Sequence, residues 1–175
     1  MPSEKQIRAA FTLIQNDKSK LLSLTIGDKE NVQPGTWLSR NVAQNPPKLA
    51  FSGANPTSTY LVVSLDIDAP FTAFNFLGPI LHWIQSDIKV TGEAALQYDA
   101  PFIANYIGPA PPPVGGPHRY LFFLYEQPEG FDLKAHAPAG GKKLGNVGRM
   151  RYDLDAWAKE VKLGPVVAFN YFTSN

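Results

Sequence analysis

Three consecutive prolines, Pro111 to Pro113, run through Gly115, Gly116 and Pro117 straight into an apolar stretch from His118 to Tyr125, and this junction limits the fold more than any other part of the chain. Each proline ring holds φ at about −65° and removes a backbone donor, so residues 108–117 can be neither helix nor central strand. They form a loop of stiff shape. The stretch that follows is rich in aromatic and β-branched-like bulk and reads as a strand buried on both faces. Alternation puts His118, Tyr120, Phe122 and Leu124 on one face and Arg119, Leu121, Phe123 and Tyr125 on the other. An imidazole therefore stands where a rigid loop enters the core.

The remainder of the chain supplies what such a strand needs for burial. At 175 residues and 44% hydrophobic content, residues 1–175 are expected to form a single domain with a sizeable core. A net charge of +1, with no cluster of Lys and Arg, gives no electrostatic footprint for nucleic acid. The absence of cysteine excludes disulfides, thiol catalysis and cysteine-bound zinc. No stretch of about 18 apolar residues occurs, and the first residues lack a signal-like apolar core, so a soluble, cytoplasmic chain without a transmembrane segment is expected.

Near the start, Ser3 to Gln6 matches a capping box, and Ile7, Ala10, Phe11 and Ile14 form an apolar stripe, which predicts a helix over about residues 4–16. Short strands are expected at Leu21 to Ile26, Asn31 to Leu38 and Lys48 to Ser52. A longer one, Ser58 to Pro70, places Leu61, Val63, Leu65 and Ile67 on one face and Tyr60, Val62, Ser64, Asp66 and Asp68 on the other. Two carboxylates would then point the same way about 7 Å apart at the strand's end. Such a pair is either a strand-ending turn or an acidic site in which a cation, donor or shared proton offsets the repulsion.

The uncharged connection from Phe71 to Leu81 carries Phe71, Phe74 and Phe76, and either packs on the domain or forms an apolar rim. In the next strand, Leu81 to Val90, alternation pairs His82 with Ile84 on one face and Trp83 with Gln85 on the other. Residues 129–148 read as surface loop, with His136 solvated. Asp153 is a candidate N-cap for a helix through about Lys162, and Val166 to Phe172 reads as a final strand.

The motifs Asp66-Ile67-Asp68-Ala69-Pro70, Leu81-His82-Trp83, Gly108 to Pro112 and Gly116-Pro117-His118-Arg119-Tyr120, in this order and spacing, resemble the phosphatidylethanolamine-binding protein family. The likeness is strongest over about residues 20–127, and the C-terminal part is similar to fungal members, among them yeast carboxypeptidase inhibitors. It implies a mainly β fold, an antiparallel Greek-key β-sandwich with a few peripheral α-helices. It also implies an anion pocket lined by Asp66, Asp68, His82, His118 and Tyr120, with Pro70, Gly108 and Pro112 completing the ligand-binding set, and a cis Ala69–Pro70 bond. Ile67 stands where the family usually has proline, and Phe71-Thr72-Ala73-Phe74 replaces small hydroxyl and basic residues, so a rim made by Phe71 and Phe74 favours a more apolar acid than a phospholipid headgroup. Val114-Gly115-Gly116 and Phe169 are further departures.

Chemistry read from these residues agrees. Carboxylates beside His82 and His118 would raise both imidazole pKa values and fix the tautomers, so that ring N–H groups face a ligand oxygen. Phosphate or carboxylate suits such a site, and neither a metal nor a cofactor is required, although two His and two Asp also form a possible transition-metal set. Three readings follow. The first is binding of a small anionic or acidic apolar ligand that modulates a partner, for which the resemblance suggests a serine carboxypeptidase. The second is an enzyme or auxiliary factor working beside biosynthetic enzymes of fungal polyketides or anhydrides, with His82, His118 and Asp66 as the acid–base candidates. The third gives the motif residues a structural role alone.

Overall fold

The computed structural model describes residues 2–175. Among them eight strands form one sheet: β1 Ser23–Thr25, β2 Thr36–Trp37, β3 Lys48–Ala50, β4 Thr59–Asp66, β5 Ile80–Thr91, β6 Ala95–Gln97, β7 His118–Glu126 and β8 Val166–Ser174. Three α-helices accompany them, α1 Glu4–Asn16, α2 Leu133–His136 and α3 Leu154–Glu160. None is long and apolar enough to cross a membrane.

The strand order is β1-β3-β6-β5-β4-β7-β8-β2. Neighbours are antiparallel except β2 and β8, which run parallel, so the sheet is mixed and not antiparallel throughout as expected above. The cause lies in the segment that carries β1 and β2. Leu22 N donates to Phe169 O at 3.1 Å, and Asn170 Nδ2, fully buried, donates to Leu22 O at 2.8 Å and Val32 O at 2.9 Å. These bonds fasten the chain next to β1, at one end of the sheet, to β8 near the other end. The sheet is therefore curled.

Curling explains why the central strands are apolar on both faces. Inside the curl, Leu24, Tyr60, Val62, Trp83, Phe122 and Phe172 pack together. Outside, Leu61, Val63, Phe123 and Tyr125 pack under Ile7, Ala10 and Ile14 of α1 and Leu154 of α3. Phe122 and Phe123 are adjacent in sequence and both fully buried, and each contributes roughly 1.5–3 kcal/mol by leaving water.

Two local expectations are corrected. Helix α1 spans the predicted residues, but Ser3 does not cap it: φ there is 64°, and its hydroxyl donates to Tyr152 O and accepts from Leu154 N, both at 2.8 Å. The first-turn amides of Lys5 and Gln6 are instead met by the Asp155 carboxylate at 3.0 and 2.9 Å, a cap supplied from α3. Asp153 does cap α3, accepting from Ala156 N at 3.0 Å.

Strand β5 breaks strict alternation. Ser64 pairs with Trp83 but Leu65 pairs with Leu81, which makes His82 an extra residue, a β-bulge. Trp83 therefore packs inside the curl while Leu81 and Ile84 both pack outside. The His82 ring meets the edge of Tyr120, an inner residue, at 5.0 Å. His82 thus does not share a face with Ile84; the bulge turns it toward the inside.

Candidate functional site

Strands β5, β4 and β7 lie side by side, and the register aligns the ends that carry the chemistry. Asp66, the last residue of β4, pairs with Ile80 and Tyr120. His82 lies two residues into β5 and His118 begins β7, so all three polar groups gather at one end of the sheet. Over them close the turn at Pro70, the loop from Ile107 to Pro112 and the segment from Asn146 to Met150, which together enclose a cavity of about 260 Å³. The Ala69–Pro70 bond is cis.

The wall is held in place by hydrogen bonds within the chain. Tyr106 donates its hydroxyl to Ala43 O at 2.8 Å, and Gln44 Nε2 donates to Pro109 O at 3.0 Å. Gly108 passes so close to this support that an added Cβ would meet Gln44 Cα and Ala43 O at 2.8 Å. Only glycine permits that approach.

Of the residues expected at the site, Asp66, Pro70, His82, Gly108, Pro112 and His118 line the cavity. Asp68 does not. Strand geometry stops at Asp66, so the two carboxylates diverge, and Asp68 accepts from the Arg119 backbone N at 2.9 Å, Nε at 2.8 Å and Nη2 at 2.6 Å. Tyr120 stands behind the wall, stacked on Phe172 at 5.3 Å, with its hydroxyl buried near the Ala110 backbone. Burial raises the phenol's pKa and nearby Asp66 adds to the effect, so it stays protonated. Phe71 and Phe74 are also outside the lining: the Phe71 ring lies against Gly115, and Phe74 is 72% exposed. Apolar wall is provided instead by Ile80, Ile107, Ala110, Pro111 and Met150. His136 is half-buried against Phe131 at 5.2 Å, far less solvated than its surroundings suggest.

Both oxygens of Asp66 are committed. Oδ1 accepts from Asp68 N at 2.9 Å, and Oδ2 lies 2.8 Å from His118 Nδ1. An ionised carboxylate only accepts, so the proton is on Nδ1. Burial alone would lower the His118 pKa; the hydrogen bond to Asp66, its charge and that of Asp68 outweigh burial and raise it. The nearby Pro70 carbonyl favours the charged ring too, yet Nε2 of His118 is buried with no group in hydrogen-bonding geometry among the described residues.

His82 behaves in the opposite way, which corrects the expectation that both rings are raised. Its Nδ1 donates to Ile107 O at 2.8 Å, so the neutral ring offers Nε2 as an acceptor. Burial lowers its pKa more than Asp66 raises it, and Arg149 and His118 push the same way as burial.

Two polar residues of the wall, Asn146 and Arg149, were invisible to sequence reasoning. They sit beside a Gly- and Lys-rich stretch that reads as solvated surface, and no spacing or periodicity distinguishes Arg149 from its exposed neighbours Met150 and Arg151. A larger groove of about 1270 Å³ runs along α1 and the Leu163–Val166 connection. Its Asp155 is occupied as a helix cap and its Glu4 pairs with Arg8.

The profile of the phosphatidylethanolamine-binding protein family matches residues 26–172. The chain belongs to this family. Phomoidride biosynthesis cluster protein N of Talaromyces stipitatus is 32% identical over 168 residues, covering 86% of this chain and 82% of that protein. Carboxypeptidase Y inhibitor of Saccharomyces cerevisiae is 32% identical over 127 residues, covering 65% of this chain and 58% of the inhibitor's length. In structure, carboxypeptidase Y inhibitor complexed with its cognate proteinase superposes with a TM-score of 0.74 at 23% identity, over 99% of this chain and 96% of the other, a likeness of fold.

Proposed function

We propose that this family member binds a small oxyacid carrying one negative charge, a phosphate monoester or a carboxylic acid, with its acid head between His118 and His82. The observation that supports this most is the pair of imidazoles lining one cavity, each fixed by its Nδ1 bond, His118 to Asp66 at 2.8 Å and His82 to Ile107 O at 2.8 Å. A protonated His118 donates through Nε2 and a neutral His82 accepts through Nε2, so a phosphate monoanion, with an anionic and a protonated oxygen, suits both rings, and a carboxylate suits His118 alone.

A cavity of about 260 Å³ holds an acid head with a few carbons against Ile80, Ile107 and Met150. That apolar wall, in place of Phe71 and Phe74, is the surface that selects among acids. The relative from a biosynthesis cluster supports a small-molecule ligand. Should the protein be an enzyme, the same two rings are its acid and base, and binding precedes either role. The identity to a carboxypeptidase inhibitor favours a second reading, a protease partner engaged through the protein surface.

Calorimetric titration with inorganic phosphate between about pH 5 and pH 7 tests the proposal. Wild type is expected to bind, with affinity declining as His118 loses its proton. His118→Asn keeps a donor for Asp66 but lacks Nε2, and its affinity is expected to fall by about tenfold or more. Absence of binding by the wild type across this range would overturn the proposal.

A further inference from the structure

Arg149 is 1% exposed and lines the cavity beside His82. Its donors are all spent on neutral acceptors: Nε on Leu144 O at 3.0 Å, Nη1 on Leu81 O at 2.9 Å and His82 O at 3.5 Å, and Nη2 on Asn105 O at 3.0 Å and Asn105 Oδ1 at 2.7 Å. Among the described residues no carboxylate lies within ion-pair distance of it. A guanidinium cannot lose its proton in a protein, and burying it far from any negative charge is costly. Carbonyl dipoles solvate this cation without neutralising it.

The charges around the cavity can be counted. Asp66 is matched by its partner His118 at 2.8 Å when that ring carries its second proton. Asp68 is matched by Arg119 at 2.6 Å outside the wall. His82 is neutral with its Nδ1 proton on Ile107 O. What remains is the Arg149 guanidinium.

We propose that Arg149 sets the charge the site accepts: its buried, unneutralised guanidinium leaves the chamber one positive charge in excess, which a single negative charge on the bound acid balances. This inference rests on the oxyacid reading above and adds the source of its charge preference. Having no free N–H, Arg149 does not touch the ligand; it acts on the site through its field. A dianion would overfill the chamber by one charge. A neutral acid would leave the cation uncompensated.

Two substitutions separate charge from scaffolding. Asn105→Asp places a carboxylate where Asn105 Oδ1 already accepts from Arg149 and from Leu144 N at 2.9 Å, so it neutralises the guanidinium while keeping both bonds. Arg149→Lys keeps the charge and loses the fork. Phosphate titration at about pH 6, where the ligand is mainly a monoanion, is expected to show Asn105→Asp about tenfold or more weaker than wild type and Arg149→Lys within about threefold. The imidazole resonances of His82 give a readout that scaffolding alone would not move. The groups facing this ring are Asp66, His118, Arg149, the Tyr120 edge and the Ile107 carbonyl, and a new carboxylate at residue 105 is expected to raise its titration midpoint.

Equal affinity of Asn105→Asp and wild type would overturn the inference and leave the oxyacid reading standing. A folded Arg149→Lys that loses tenfold would overturn it as well, because shape and not charge would then be responsible; if Asn105→Asp fails to fold, this variant decides alone. Failure of the wild type to bind phosphate would instead remove the oxyacid reading, and the inference with it.

Discussion

Arg149→Met is expected to destabilise the fold by about 3–5 kcal/mol, a large share of the roughly 5–15 kcal/mol that a domain possesses. The acceptors around the guanidinium, more than its charge, set this cost. The carbonyls of Leu144, Leu81 and Asn105 and the Asn105 side chain all receive hydrogen bonds of 2.7–3.0 Å from one guanidinium. Methionine fills similar volume but donates to none of them, and each buried acceptor left unmet costs about 1–3 kcal/mol. Relief from burying a cation offsets part of this loss. Urea denaturation reads the difference as a lower midpoint with an unchanged slope. A loss below about 1 kcal/mol would mean that water or a rearranged loop replaces the guanidinium.

Asp66→Asn is expected to weaken phosphate binding more at about pH 7 than at about pH 5. The hydrogen bond and charge of the carboxylate raise the His118 pKa, and without them burial lowers it, so the variant holds less protonated ring at about pH 7 and its affinity is expected to fall about tenfold. At about pH 5 more of the variant's ring is protonated, and the loss is expected to be smaller. Calorimetry at the two pH values reads the difference, and a loss of the same size at both would show that Asp66 acts through shape. The same pair has a signature in stability. The folded pKa of His118 is raised, so its contribution is complete below the ordinary histidine value and is lost as pH rises through the raised one. That of His82 is lowered, so its contribution is present above the ordinary value and is lost as pH falls below it. With Asp66 neutral the first term shrinks, and Asp66→Asn is expected to be the more acid-sensitive protein.

What the chain disclosed in advance follows from how local each signal is. The two-sided burial of β7 was legible because proline stiffness ends at Pro117 and an unbroken apolar run begins one residue later. The stripe of α1 was legible at Ile7, Ala10 and Ile14, whereas its cap was not, since Asp155 comes from 150 positions along the chain. Alternation placed Asp66 correctly inside the curl and failed at Asp68, one step beyond the strand's end, where Arg119 takes the carboxylate. It failed again at His82, because one inserted residue reverses the parity of everything after it. The parallel contact of β2 with β8 depends on Asn170 reaching two carbonyls from another part of the chain. Arg149 was the least legible. A surface arginine and a buried one have the same sequence, and only the carbonyls that the fold gathers around it tell them apart.

The claim that the site takes a singly charged, protonated oxyacid is tested most directly by comparing two ions of nearly equal size. At about pH 6 phosphate is mainly a monoanion that still carries hydrogen, while sulfate is a dianion with no proton to offer His82 Nε2. Titration calorimetry of the wild-type protein at that pH is expected to give phosphate at least about tenfold tighter affinity than sulfate. Equal affinities, or tighter binding of sulfate, would contradict it.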